Sequence, residues 1–193
     1  MNSESPPFGA RLASFVGKSI EGRIKMTSTK TLEAFSDRNE DKGEWLQVTP
    51  GERFRIRIPS VQTMGAYTVI EVVADPHNGV PLHIHNREEE HFIVLDGTLD
   101  IAIGDRRWDT PAGTSATVRR GVPHAWCNPS NMPLHMLVIF SPGQIDRMFR
   151  AVAGVDDVDR IAAFAGGYGT QLIGPPLQGT VHSIYWPPKW SGP

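Results

Sequence analysis

The chain has 193 residues, of which 39% are hydrophobic, and this length and composition suit one globular domain with a sizeable core. The formal net charge is −2 and neither sign forms a long block, which argues against a nucleic-acid-binding surface and a polybasic membrane patch. The single cysteine, Cys127, excludes an internal disulfide framework and favours a reducing compartment.

Residues 1–46 are polar and show no sustained periodicity of 2 or 3.6, so we predict a poorly ordered N-terminal arm. The arm lacks the pattern of a secretory leader, and no apolar run in the chain is long enough to span a bilayer. We therefore expect a cytoplasmic protein with no membrane partner. Either Met1 or Met26 would serve as the natural start.

Residues 47–143 carry many short runs rich in valine, isoleucine and aromatic residues, separated by turn residues. The dipeptides Asp96–Gly97 and Gly104–Asp105 are typical of turns between strands. No helical pattern interrupts these runs, which favours an antiparallel sandwich or barrel. The fold class predicted for this section is all-β. The runs include FRIRI, AYTVIEVV, HFIVL, TLDIAI and LHMLVIF.

Residues 144–193 are predicted to form short helices followed by a proline-rich tail that packs on the barrel surface. Ser141 is expected to cap the first helix, with Pro142 at its first position. A second helix is expected over residues 157–164, ending at the following glycines. The apolar positions of the first helix should face the barrel, and its charged positions should face solvent. The apolar set is Ile145, Met148, Phe149 and Val152, and the charged set is Asp146, Arg147 and Arg150.

The segment PLHIHNREEEHFIVLDG concentrates histidines and glutamates beside an apolar strand. His83 and His85 are two residues apart, so they share one face of a strand. Glu90 follows after a polar turn that can reset the alternation and return its side chain to the same space. His124 follows a glycine and a proline at the start of another predicted strand. Three imidazoles and one carboxylate suit a divalent Fe, Mn, Ni, Zn or Cu ion.

A lone His-x-His pair is commonly two solvated strand residues, but the pair, the glutamate and the later histidine together resemble the two motifs of the cupin superfamily. The first motif is matched by His83, His85, Glu90 and Gly97, although His77 stands where its leading glycine is expected. The second motif is matched by Gly113, Gly121, His124 and Asn128, although Arg119 stands at its proline position. Both departures concern turns and leave the metal ligands unchanged.

The resemblance implies a small jelly-roll barrel with one metal ion inside it, bound by His83, His85, Glu90 and His124. It is nearest to the single-domain cupins described as quercetin-dioxygenase-like, which implies oxidative cleavage of a small enolic or phenolic compound. Glu90 would act as a ligand or as a general base. Apolar neighbours of the ligands are expected to form the substrate pocket: Phe92, Val94, Trp126, Met136 and Val138.

The fold and ligand set do not determine the reaction. An isomerase or epimerase of a small sugar-like molecule and a non-catalytic small-molecule-binding protein are the alternatives. Cupin barrels commonly associate through their edges, so we expect a homodimer in which part of residues 27–58 or the YWPPKW segment covers an edge or the neighbouring subunit. Cys127, His77 and His135 are expected to pack or to be solvated, with no part in the site.

Overall fold

The computed structural model describes residues 43–48, 50–155 and 157–177. Eleven strands and two helices occur within these ranges. The strands are β1 Leu46–Gln47, β2 Glu52–Ile58, β3 Thr68–Ala74, β4 Pro81–His85, β5 Glu89–Asp96, β6 Thr98–Ile103, β7 Arg106–Pro111, β8 Ser115–Val118, β9 His124–Cys127, β10 Leu134–Ser141 and β11 Thr170–Pro176. The helices are α1 Asp146–Val152 and α2 Val158–Tyr168.

Two antiparallel sheets form the barrel. The first has the strand order β1-β2-β3-β10-β5-β8, and the second has the order β11-β4-β9-β6-β7. In β3 and β10 every second residue is buried, because alternate side chains of a strand point to opposite faces of its sheet. This arrangement confirms the predicted all-β jelly-roll with short C-terminal helices. No helix in the described ranges is both long and apolar enough to cross a bilayer.

The core lies between the sheets and draws its side chains from both of them. The largest fully buried apolar side chains are Phe54, Ile70, Phe92, Leu99, Ile101, Leu134, Met136 and Phe140. Burying each such side chain stabilises the folded state by about 1.5–3 kcal/mol relative to leaving it exposed. The core therefore holds the two sheets rigidly enough to support a site between them.

Both predicted turn dipeptides lie between strands. Gly97 joins β5 to β6 with a φ of +84°, and Gly104 joins β6 to β7 with a φ of +60°. At Gly97 a side chain would also crowd the backbone, since a Cβ would lie 3.1 Å from the carbonyl oxygen of Pro133. Glycine is therefore required at Gly97 for two reasons.

The predicted start of the first helix was wrong. Ser141 is the last residue of β10, where it pairs with Glu89, and the helix begins five residues later at Asp146. Strand pairing with β5 overrides the local capping pattern because it continues the sheet through Ser141. Asp146 was also expected to be exposed but is buried, and its carboxylate accepts hydrogen bonds from the backbone N–H and the hydroxyl of Ser60.

The second helix and the tail also differ from the prediction. Helix α2 continues through Gly166 and Gly167 and ends at Gly169, which has a φ of +93°. The chain then forms β11, which pairs with β4 beside the predicted metal ligands. We call the unit of α1, α2 and β11 the cap. The predicted arm up to residue 42 and the YWPPKW segment lie outside the described residues, and the predicted domain boundaries stay predictions.

Candidate metal centre

Strand β4 carries two of the predicted ligands. His83 and His85 are both buried, on the inward face of this strand. Strand β9 lies alongside β4 in the same sheet, where His83 pairs with His124. The three imidazoles form one cluster, with ring centroids 4.1 Å apart for His83 and His124 and 4.9 Å apart for His83 and His85.

Glu90 enters this cluster from the opposite sheet. The turn at residues 86–88 separates β4 from β5 and changes the alternation, so Glu90 points inward while His91 points outward towards Thr117. One carboxylate oxygen of Glu90 lies 2.7 Å from Nε2 of His124 and 3.4 Å from Nε2 of His85. A short polar turn thus places a carboxylate of one sheet against imidazoles of the other.

The four side chains offer one donor atom each, and these atoms all lie within 4.8 Å of one another. A zinc-like ion binds imidazole nitrogen and carboxylate oxygen at about 2.0–2.2 Å, so modest shifts of these side chains would bring every donor into bonding distance. The donor set of three nitrogens and one oxygen suits borderline divalent transition metals. The four residues therefore could hold such an ion.

Hydrogen bonds on the outer side of each ring favour metal binding on the inner side. Nδ1 of His83 lies 2.7 Å from the carbonyl oxygen of Pro81, and Nδ1 of His124 lies 2.9 Å from that of Val122. A carbonyl oxygen only accepts, so each Nδ1 carries the proton and each Nε2 is directed towards the cluster. Metal-binding histidines are oriented in this way in proteins generally.

The third ring has a side-chain partner instead. Nδ1 of His85 lies 2.8 Å from the hydroxyl oxygen of Thr170, the first residue of β11. A hydroxyl can accept the Nδ1 proton as a carbonyl does. All three imidazoles are therefore held by their Nδ1 atoms, and their Nε2 atoms face the cluster, where that of His124 contacts the carboxylate of Glu90.

Burial and the interactions among the clustered side chains shift their pKa values in different directions. Burial would raise the pKa of Glu90, but its hydrogen bonds to His124 and His85 outweigh burial and hold the pKa well below its usual range. Burial would lower the pKa of His124, but the same carboxylate raises it. Burial and the neighbouring imidazoles lower the pKa of His83. Glu90 is thus an anion that favours a proton or a metal cation at Nε2 of His124.

A cavity of about 530 Å³ opens onto the cluster. Three of the four cluster residues, His83, His85 and Glu90, line it, and the rest of its wall is mostly apolar. Among the residues that the structure describes, no lysine or arginine lines this cavity. A volume of this size is typical of pockets that hold a small organic molecule.

The predicted pocket residues divide into two groups. Trp126 and Val138 line the cavity. Phe92, Val94 and Met136 do not, and they are packed in the core with at most 1% of their surface exposed. Side chains that line the cavity and side chains that fill the core both lie on inward strand faces. Strand alternation alone therefore does not distinguish the two groups.

Two contributors to the site were not predicted from the sequence, and the burial of a third residue was not expected. Thr170 and Phe149 lie in the cap, and Phe149 lines the cavity. Glu88 belongs to the predicted polar turn before Glu90 but is 3% exposed, and its Oε2 has no hydrogen-bond partner among the described residues. Burial raises the pKa of this carboxyl. The capping pattern at Ser141 and Pro142 predicted a helix before Phe149, but it gave no indication that the cap contacts the histidines.

The remaining candidates lie away from the cluster. Cys127 is buried with its sulfur 3.5 Å from a carboxylate oxygen of Asp100, and it is not among the clustered donors. His135 contacts the carboxylate of Glu71, and His77 contacts the side chain of Asn131. These contacts lie on parts of the barrel other than the donor cluster.

Comparison with protein families gives a match over residues 70–140, to the family described as the cupin domain. This range runs from β3 to β10, without the first two residues of β3 and the last residue of β10, and it includes all four clustered donors. It excludes the cap. The family match and the two-sheet topology agree with each other.

Curated relatives match the chain over short parts of their own length. Mannose-1-phosphate guanylyltransferase 2 of Escherichia coli O157:H7 is 28% identical over 85 residues, which is 44% of this chain and 18% of that protein. Xanthan biosynthesis protein XanB of Xanthomonas campestris is 24% identical over 127 residues, which is 66% of this chain and 22% of that protein. The chain thus spans about a fifth of the length of these relatives.

Among solved structures, KdgF from a Halomonas species aligns with a TM-score of 0.50 at 18% sequence identity. The alignment covers 56% of this chain and 95% of KdgF. At this level of identity the likeness concerns the fold alone. It agrees with the jelly-roll described above.

Proposed function

We propose that this chain, which belongs to the cupin superfamily, is a metal-dependent dioxygenase acting on a small enolic or phenolic compound. His83, His85, Glu90 and His124 would hold one divalent ion. The cavity beside them would hold the substrate. The observation that carries the proposal is the position of this four-donor cluster on the wall of a mostly apolar cavity.

The charges around the cavity support a neutral substrate. Two carboxylates, Glu52 and Glu90, are among its lining residues, whereas no described lysine or arginine lines it. Phosphate and carboxylate groups are usually bound by arginine, lysine or a helix N-terminus. A bound divalent ion would supply positive charge at the donor cluster alone, so a compound whose oxygen atoms face that cluster and whose remaining surface is uncharged suits this cavity better than a sugar phosphate does.

A bound divalent ion would lower the proton affinity of a coordinated hydroxyl group and offer open coordination positions. The chain's own residues would do the remaining work. The three imidazoles, held by Pro81, Val122 and Thr170, keep the donors in a fixed arrangement. Glu90 would complete the ligand set or accept the substrate's hydroxyl proton at its carboxylate. Trp126 and the other apolar walls would exclude bulk water and orient the substrate.

An isomerase or epimerase of a sugar-like molecule is the second candidate. It is supported by the curated relatives, one of which is named for mannose 1-phosphate and another for xanthan biosynthesis. The apolar cavity wall weighs against it, because a sugar needs many hydrogen-bonding partners. The third candidate, a non-catalytic binding protein, would use the same cavity without turnover.

Oxygen uptake tests the three candidates together. The purified protein would be loaded separately with Fe(II), Mn(II), Ni(II), Cu(II) or Zn(II) and supplied with flavonols, with 1,3-diketones and, in parallel, with mannose and mannose 6-phosphate in deuterated water. We expect oxygen uptake with a redox-active metal and an enolic compound, with both atoms of isotopically labelled dioxygen in the product. His83→Ala is the control that should lack uptake.

Two other outcomes would contradict the proposal. Deuterium incorporation into a sugar without oxygen uptake would support the isomerase. Saturable binding of the enolic compounds without turnover by any metal form would support the binding protein.

A further inference from the structure

The cavity has two walls of different origin. One belongs to the barrel, and the other belongs to the cap, which lies outside the residues matched by the cupin family. Cap residues from both helices and from β11 line the cavity, among them Phe149, Ile161 and Leu172. The barrel supplies the donor cluster, and the cap supplies much of the remaining surface that a ligand would touch.

Phe149 is a cap residue that packs against aromatic rings of the barrel. Its ring centroid is 5.0 Å from that of Phe54 and 5.7 Å from that of Phe140. Phe140 in turn lies 5.4 Å from the ring of His85. A continuous series of aromatic rings thus leads from the cap to one of the clustered histidines.

The three phenylalanine rings differ in how much of their surface is exposed, and exposed ring surface can contact a ligand. Phe54 and Phe140 are almost fully buried, at 1% and 2% exposed, so they are fixed parts of the core. Phe149 is only partly buried although it packs against both. It therefore keeps accessible ring surface beside the cavity that it lines. Flat aromatic molecules pack well against such surfaces.

We infer that the cap selects the substrate, and that it favours a neutral, flat molecule of two or three fused or linked rings, whose length is limited by Phe149. The inference rests on the proposed function in one respect, namely that the oxygen atoms of this molecule face the donor cluster. Phe149 is a specificity-determining residue in this proposal, not a ligand of the metal.

Binding can be measured apart from turnover, which separates this inference from the proposed function. The full-length protein as purified would be titrated by calorimetry under nitrogen with phenol, 3-hydroxyflavone and a ring-sulfonated 3-hydroxyflavone. We expect 3-hydroxyflavone to bind more tightly than the other two. Phenol fills less of the cavity. With the hydroxyl group at the donor cluster, the sulfonate on the far ring would lie against apolar walls that include no lysine or arginine.

Substitutions of Phe149 test its role. Phe149→Ala should weaken binding of 3-hydroxyflavone by about tenfold or more. Phe149→Trp should block 3-hydroxyflavone while leaving phenol binding unchanged, because the larger ring shortens the cavity. Phe164→Ala is the matched control, since Phe164 lies on α2 but is 42% exposed and does not line the cavity. If the alanine variant fails to fold, Phe149→Leu replaces it. The dissociation constant of 3-hydroxyflavone for that variant is then compared with that for the unchanged protein, and their ratio shows whether Phe149 contributes to binding.

Equal effects of the Phe149 and Phe164 variants would overturn the role of Phe149. Tighter binding of the sulfonated compound than of 3-hydroxyflavone would overturn the substrate class, and so would an absence of binding by both flavones. If the expected binding pattern is found but oxygen uptake is not, the inference stands and the dioxygenase proposal fails.

Discussion

Nδ1 of His85 lies 2.8 Å from Oγ1 of Thr170, although the two residues are 85 positions apart in the chain. The contact exists because β11 pairs with β4, so that Thr170 is directly opposite His85. A residue outside the part of the chain matched by the cupin family therefore orients one of the clustered imidazoles.

Thr170→Val should weaken metal binding by about 10–100-fold, because a partner that orients a metal-binding histidine typically contributes that much. The change keeps the shape of the side chain and removes only the hydroxyl. Thr170→Ser should retain most of the affinity. Competition titrations against a chromophoric chelator would measure both variants, and wild-type affinity in Thr170→Val would show that the hydrogen bond is dispensable.

His83→Ala and His124→Ala should each yield largely metal-free protein when purified without added metal. Each change removes one of only four donors from the cluster. His91→Ala and Glu89→Ala are matched controls from the same stretch, since His91 faces Thr117 and neither side chain belongs to the cluster. Elemental analysis would measure metal content, and full occupancy in both cluster variants would refute the site.

Glu90→Gln should distinguish the two functions considered for this carboxylate. The amide keeps the shape but loses the charge that holds the pKa of His124 above its usual value. A general base would be indicated by retained metal and a loss of turnover of about 10²–10⁴-fold. A ligand would be indicated by parallel losses of metal and activity. Metal content and turnover must be measured on the same preparations.

Cys127 should be unreactive towards iodoacetamide at pH 8 in the folded protein. Burial and the nearby Asp100 raise the pKa of its thiol to about 12, so the reactive thiolate is scarce at that pH. Mass spectrometry would follow alkylation, and the denatured protein is the positive control. Rapid labelling of the folded form would show that Cys127 is more accessible than its buried position implies.

The same shift predicts how stability depends on pH. Above about pH 9 the unfolded chain loses the thiol proton while the folded chain keeps it, so the unfolded state binds fewer protons. The contribution of Cys127 to the free energy of unfolding should therefore be full below pH 9 and fall between pH 9 and about 12. Cys127→Ala should lack this fall in urea unfolding measured across the range.

The homodimer stays a prediction. Ile93 and Leu95 on β5 are 37% and 45% exposed on the outward face of the first sheet, next to partly buried Leu137 of β10. A second copy of the chain would cover such an apolar face. Light scattering should give twice the monomer mass at micromolar concentration, and Leu95→Asp should shift the protein towards the monomer. A wild-type monomer throughout this range would contradict the prediction.

Local patterns in the sequence were sufficient to predict most strands of the barrel, the turns at Gly97 and Gly104, and the position of His83 and His85 on one strand face. Alternation and turn chemistry act between residues that are close in the chain, so they can be read without the fold. The return of Glu90 towards the histidines also follows from a local cause, the polar turn between β4 and β5. The resemblance to cupins then linked these residues to His124.

Only the tertiary structure determined which parts of the barrel contact the cap. Ser141 continues a strand instead of capping a helix because β5 is beside it, and Thr170 reaches His85 because β11 joins the second sheet. Phe149 lines the cavity while Phe92, Val94 and Met136 fill the core, a difference that depends on how distant elements pack. Such pairings join segments that are far apart in the chain, and no local pattern encodes which distant surface will cover them.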